Sequence, residues 1–173
     1  MTGVITLTGT DEFEALLTAQ IPRLRRYARV LGRTRARADD LVQDTLERAW
    51  TKRHLWQTGS DLRAWAFSIM HNTYVNQARR RAPESLSEDM ELSSPATQDQ
   101  ALALRDLQRA LARLPLEYRE VLTLVAVEEL RYAEVAEILD VPIGTVMSRL
   151  SRARERLRAL MSGDATPMLQ RIK

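Results

Sequence analysis

Residues 131–154 read RYAEVAEILDVPIGTVMSRLSRAR, and their pattern decides which fold this chain adopts. Val135, Ala136 and Leu139 recur at helical spacing and face inward on a short helix, where small Ala136 permits close approach of a second. Asp140 to Gly144 forms a short break, and a new helix begins at 142–145. Two short helices joined by so tight a break match the helix-turn-helix unit, whose second helix enters the DNA major groove. At about 100° per residue, Val146, Leu150, Ala153, Leu157 and Leu160 gather on about one third of that second helix. Thr145, Ser148, Ser151, Arg152 and Arg154 take much of the remainder with Met147 and Glu155, while Arg149 lies beside the apolar stripe. Arginine bonds guanine edges bidentately or pairs with phosphate, and short hydroxyl residues allow close approach. The stripe therefore holds the helix to its domain, and the basic arc faces DNA.

Outward from this unit, the chain has 173 residues, room for one domain or two small ones. Hydrophobic residues make up 45%, enough for helical cores, yet no run approaches the ~18 apolar residues of a membrane span. The start, MTGVITLTGTDEF, has neither a basic opening nor a long apolar run, so no secretory signal or membrane insertion is expected and the cytoplasm is the expected location. The absence of cysteine excludes disulfides and thiolate chemistry. His54 and His71 are the only histidines, and there is no clustered metal motif or glycine-rich phosphate loop, so no metal, cofactor or catalytic activity is expected. Net charge is +3, but residues 83–100 carry −5, leaving +8 on the rest. Basic segments separated by an acidic spacer suggest two distinct polyanion-facing surfaces.

The pattern predicts an all-α fold: two small helical domains joined by a flexible acidic linker. Helices are expected over 11–31 with a bend near Pro22, 38–53, and 61–81 capped by Ser60 or Asp61. Further helices are expected at 97–114, 116–128, 131–139 and 143–162, with Gly163 as terminator. Residues 83–96, rich in Ser, Pro and acids, form the linker between domains at 11–82 and 97–163.

The first domain carries two polar surfaces. In ADDLVQDTLERAW, residues 38–50, the apolar arc is Leu41, Val42, Leu46, Ala49 and Trp50. Asp40, Gln43, Asp44 and Glu47, with Thr51, gather opposite it; such a face suits a basic protein partner better than DNA. Asp39 and Asp40 also favour the positive N-terminal end of this helix. DLRAWAFSIMHNTYVNQARRRAP then mixes aromatics, amides and an Arg79-Arg80-Arg81 run. Amides read unpaired base edges and arginines hold a strand backbone; Asn72 and Asn76 lie one turn apart with Arg79 near the same side. Trp65, Phe67 and Tyr74 are read as core, and His71 receives no special role.

EVAEILDVPIGTVMSRLSRARERL, with ALARLPLEYREVLTLVAVEEL before it, resembles the last region of bacterial RNA polymerase sigma factors, most of all the extracytoplasmic-function (ECF) group. The resemblance implies a domain that binds the −35 promoter element and the flap of the polymerase beta subunit. It makes Thr145, Ser148, Arg149, Ser151, Arg152 and Arg154 DNA-facing; Met147 departs from the Lys or Arg of many relatives, and apolar contact with a thymine methyl could replace the polar one. The 38–50 segment resembles the part that grips the beta-prime coiled coil, implying core polymerase binding by Asp40, Gln43, Asp44 and Glu47, with Leu41 and Trp50 holding the helix in its domain. The 61–81 segment resembles the −10 reading region, implying capture of melted DNA by Asn72, Asn76, Arg79 and Arg80. An anti-sigma factor is the regulator the resemblance implies. The competing reading, a stand-alone helix-turn-helix regulator, accounts for 131–160 but leaves the other two surfaces without a task.

Overall fold

The computed structural model describes residues 9–32, 34–57, 59–80 and 98–162, and every regular element among them is helical. In chain order these are α1 (Gly9–Gly32), α2 (Arg35–Thr51), α3 (Leu62–Arg80), α4 (Gln98–Ala112), α5 (Leu116–Leu122), α6 (Tyr132–Leu139) and α7 (Ile143–Met161). A single 3₁₀ turn at Arg53–Leu55 follows α2, and a π turn at Thr123–Val127 prolongs α5. The expected linker at 83–96, the leader and the stop at Gly163 lie outside the described residues.

The first three helices pack on one another. Phe13, Leu17, Leu24, Tyr27, Ala28 and Leu31 of α1 meet Leu41, Val42 and Ala49 of α2 and Ala66, Phe67 and Met70 of α3, all buried. α1 is one helix that includes Pro22. At its end, a Cβ on Gly32 would stand 2.9 Å from the Ala38 backbone nitrogen, so the close entry into α2 requires glycine. Thr34 caps α2, its Oγ1 accepting from the Arg37 N–H at 3.3 Å. α2 thus begins three residues before the expected Ala38, and Asp39 and Asp40 fall outside its first turn. A threonine hydroxyl meets the exposed N–H groups there, and Arg35 instead approaches Asp39 at 4.0 Å. Asp61 starts α3 by accepting from the Arg63 N–H at 2.8 Å.

In the second half, α5, α6 and α7 enclose Val121, Leu124, Val135, Ile138, Leu139, Val146, Leu150 and Ala153, with Leu157 and Leu160 half-buried at the far end of the stripe. α6 ends in a double closure. The Val141 N–H donates to the Ala136 carbonyl at 3.1 Å and the Asp140 N–H to the Glu137 carbonyl at 3.4 Å. Asp140 is left-handed, at φ 51° and ψ 51°, which turns the chain into α7 within three residues.

The halves are not held apart. α3 packs on α6, and α1 packs on α5 and the π turn. Two buried carboxylates organise this seam. Glu120 Oε1 accepts from the Tyr27 hydroxyl at 3.2 Å and lies 3.1 Å from His71 Nδ1. Glu128, fully buried, receives Arg26 through two hydrogen bonds of 3.0 and 3.4 Å, with Arg23 at 3.6 Å. Its backbone carbonyl accepts from Arg63 at 2.9 Å. The π turn sets this geometry: the Glu128 N–H reaches back to the Thr123 carbonyl, and Glu129 follows at φ 55°. Burial first, and the Glu120 carboxylate second, push the Tyr27 hydroxyl well above the usual tyrosine range.

Candidate functional site

Three polar surfaces emerge. On α2, Asp40, Gln43 and Glu47 are exposed on one side, opposite buried Leu41, Val42 and Thr45. Gln43 Nε2 donates to Glu47 Oε1 at 3.1 Å, so the amide and the carboxylate form one acceptor-rich patch. Asp44 differs from its neighbours: it is half-buried, and Gln77 of α3 donates to its Oδ2 at 2.7 Å. That bond ties the α2 face to α3. Trp50 does not sit inside the domain as expected. It is 38% exposed, with the Arg53 guanidinium 5.0 Å from its ring centroid and the Phe13 ring tilted against it at 6.3 Å. Phe13 already has Trp56 and Trp65 as neighbours, which leaves Trp50 at the rim.

On α3, Asn72, Asn76, Arg79 and Arg80 are all exposed, while Phe67 is buried edge-on against Tyr27 and Trp65 and Tyr74 are half-buried. The amides and arginines face outward, and the aromatics serve the core. On α7, Ser148, Ser151, Arg152 and Arg154 are exposed, and Thr145 and Arg149 are half-buried along the edges of the apolar stripe. The Ser148 hydroxyl donates to the Thr145 carbonyl at 3.1 Å, which keeps it close to the helix surface.

α6 presents α7 and is itself firmly started. Glu134 accepts from the Arg131 N–H at 2.7 Å and from its guanidinium at 2.8 Å. The guanidinium hydrogen bond is the main reason its carboxyl is held below the usual range, against the opposing effect of burial.

Two short helices about a Schellman turn, with a basic outer arc, follow a three-helix unit that carries an acid–amide face and an Asn–Arg face. Sequence comparison accounts for both halves. Residues 17–71 match the family described as the Sigma2 domain of PhyR, and residues 104–157 match Sigma-70, region 4. The ECF RNA polymerase sigma factor EcfG of Rhodopseudomonas palustris is 37% identical over 159 residues, covering 90% of this chain and 88% of the relative. The chain belongs to the ECF RNA polymerase sigma factors. SigM of Bacillus subtilis, of the same family, is 33% identical across 71% of this sigma factor and 78% of its own length. Among solved structures, the sigma factor RpoE in complex with the anti-sigma factor NepR from Bartonella quintana superposes with a TM-score of 0.74 at 35% identity, covering 88% of this chain and 98% of that one. CnrH in complex with the cytosolic domain of CnrY gives 0.64 at 28% identity, covering 88% and 89%. As a sigma factor the chain directs promoter-specific initiation by RNA polymerase. A stand-alone regulator would leave the region matched by the first of these families unused. No described helix is long and apolar enough to cross a membrane.

The seam residues Tyr27, His71, Glu120 and Glu128 were not singled out by sequence reasoning. The one local signal was a pair of carboxylates flanking the apolar run VLTLVAV, at 120 and 128.

Proposed function

We propose that the three polar surfaces divide the work of initiation. Asp40, Gln43 and Glu47 dock on core polymerase at the beta-prime coiled coil, with Asp44 holding the docking helix to α3. Asn72, Asn76, Arg79 and Arg80 capture the separated −10 strand. Thr145, Ser148, Arg149, Ser151, Arg152 and Arg154 engage −35 duplex DNA, while the same half meets the beta flap. The observation that carries this reading is the opposite chemistry of the exposed faces: acceptors on α2, amides and arginines on α3, arginines and hydroxyls on α7. Acceptors repel a phosphate backbone and suit a basic protein surface, whereas guanidinium groups do the reverse. The chain works in the cytoplasm alongside polymerase, contributes no reaction of its own, and is restrained by an anti-sigma protein. RpoE, solved in complex with the anti-sigma factor NepR, supports that last role.

The test is run-off transcription with purified core polymerase, paired with competition for core. Asp40→Arg with Glu47→Arg, both on exposed positions, should leave the fold intact and abolish competition for core. A folded double variant that competes normally would remove α2 from the polymerase interface.

A further inference from the structure

Ile143 and Met147 are 47% and 51% exposed, two of the few large apolar side chains left in solvent among the described residues. Neither has a packing task, because the stripe that anchors α7 is Val146, Leu150 and Ala153. At about 100° per residue they lie about 40° apart on one flank of the first two turns, and Ser151 continues the row. The N-terminal turns of the second helix in a helix-turn-helix are those that reach base edges. An apolar side chain driven against a base carbonyl or amino group would strip it of hydrogen bonds. The major groove offers one apolar group, the C5 methyl of thymine. An apolar protein partner along this flank would instead have to bury the charge of exposed Arg154, which lies on the same side two turns further on, without a phosphate to pair it.

We propose that Met147, braced by Ile143, reads a thymine methyl in the −35 duplex and so adds an apolar determinant to a recognition surface otherwise made of hydroxyls and guanidinium groups. Three rotatable bonds and a polarizable sulfur let methionine settle over a methyl whose position varies with local DNA shape. This rests on the reading that α7 enters the major groove.

Deoxyuridine differs from thymine only by that methyl. Holoenzyme is titrated against a promoter duplex that it transcribes, with deoxyuridine replacing each −35 thymine on either strand in turn. Removing one contacted methyl, worth about 0.8 kcal/mol, should weaken binding about fourfold at one position. Met147→Ala should bind thymine DNA more weakly by a similar factor and show no further loss with deoxyuridine there. Met147→Leu should keep the deoxyuridine penalty. A parent protein indifferent to deoxyuridine everywhere overturns the proposal, as does a Met147→Ala variant that keeps the full penalty. Arg152→Ala is measured alongside. If it weakens binding while deoxyuridine does nothing, the groove reading stands and the methyl contact falls; if neither has an effect, both fall.

Discussion

Single residues fix how the helix-turn-helix is held. Asp140 occupies the left-handed region that favours glycine, and aspartate tolerates it better than most side chains. A β-branched side chain does not. Asp140→Val should cost about 1–2 kcal/mol in denaturant unfolding, whereas Asp140→Gly should be neutral or stabilising. Glu134 sets the entry to the same unit. Because its carboxyl is held below the ordinary value of 4.5, its stabilisation is complete above that pH and is lost as pH falls towards the folded-state value. Glu134→Gln should therefore flatten the acid side of the pH–stability profile, with little difference between parent and variant once the parent's Glu134 is protonated. Thermal melts between pH 3 and about 7 measure this.

Among the elements, α7 must stay packed while offering its outer face. Arg152 and Arg154 are exposed, so alanine at either removes a donor without opening a cavity, and alanine favours helix. Arg152→Ala should cost roughly 1–3 kcal/mol of holoenzyme binding at one −35 position if it reads a base edge. Arg154→Ala should instead weaken all −35 variants alike and shrink the salt slope by about one unit if its guanidinium pairs with phosphate. Titrations over several salt concentrations separate the two, and unchanged affinity for both would reduce the arc to a solvated face.

Across the whole molecule, the packed halves confront the geometry of a promoter. The −35 and −10 elements lie about 25 base pairs apart, about 85 Å along B-form DNA. A compact chain of this length is roughly 40 Å across. If α3 and α7 carry the −10 and −35 surfaces as proposed, the seam between α3 and α6 is expected to open for both to engage, and Glu128 is its main polar tie. Glu128→Gln keeps the shape but removes the charge facing Arg23 and Arg26, and should weaken the seam by roughly 1–3 kcal/mol. The native chain lacks cysteine, so labels at Ala19→Cys and Ala112→Cys report the separation without background. The distance should lengthen when core polymerase is added, and Glu128→Gln should lengthen it in the free protein. An unchanged distance in both cases would refute this opening.

Periodicity was enough to place the helices, because each amphipathic stripe is written in contiguous residues: Leu41, Val42 and Ala49 on α2, Val146, Leu150 and Ala153 on α7. The outward direction of Asn72, Asn76, Arg152 and Arg154 follows from the same pattern, since the polar arc of a helix lies opposite its packed stripe. Boundaries were less legible. Thr34 capped α2 and the helix began three residues before Ala38, so Asp39 and Asp40 missed the N-terminal turn they were expected to favour, and Phe13, with Trp56 and Trp65 already beside it, left Trp50 at the rim. The seam could be settled only by the tertiary structure. Arg26 and Glu128 are 102 positions apart and Tyr27 and Glu120 are 93, so no local pattern links them. A carboxylate becomes buried and paired only when two separately amphipathic halves meet, and that meeting depends on surface shape and charge together.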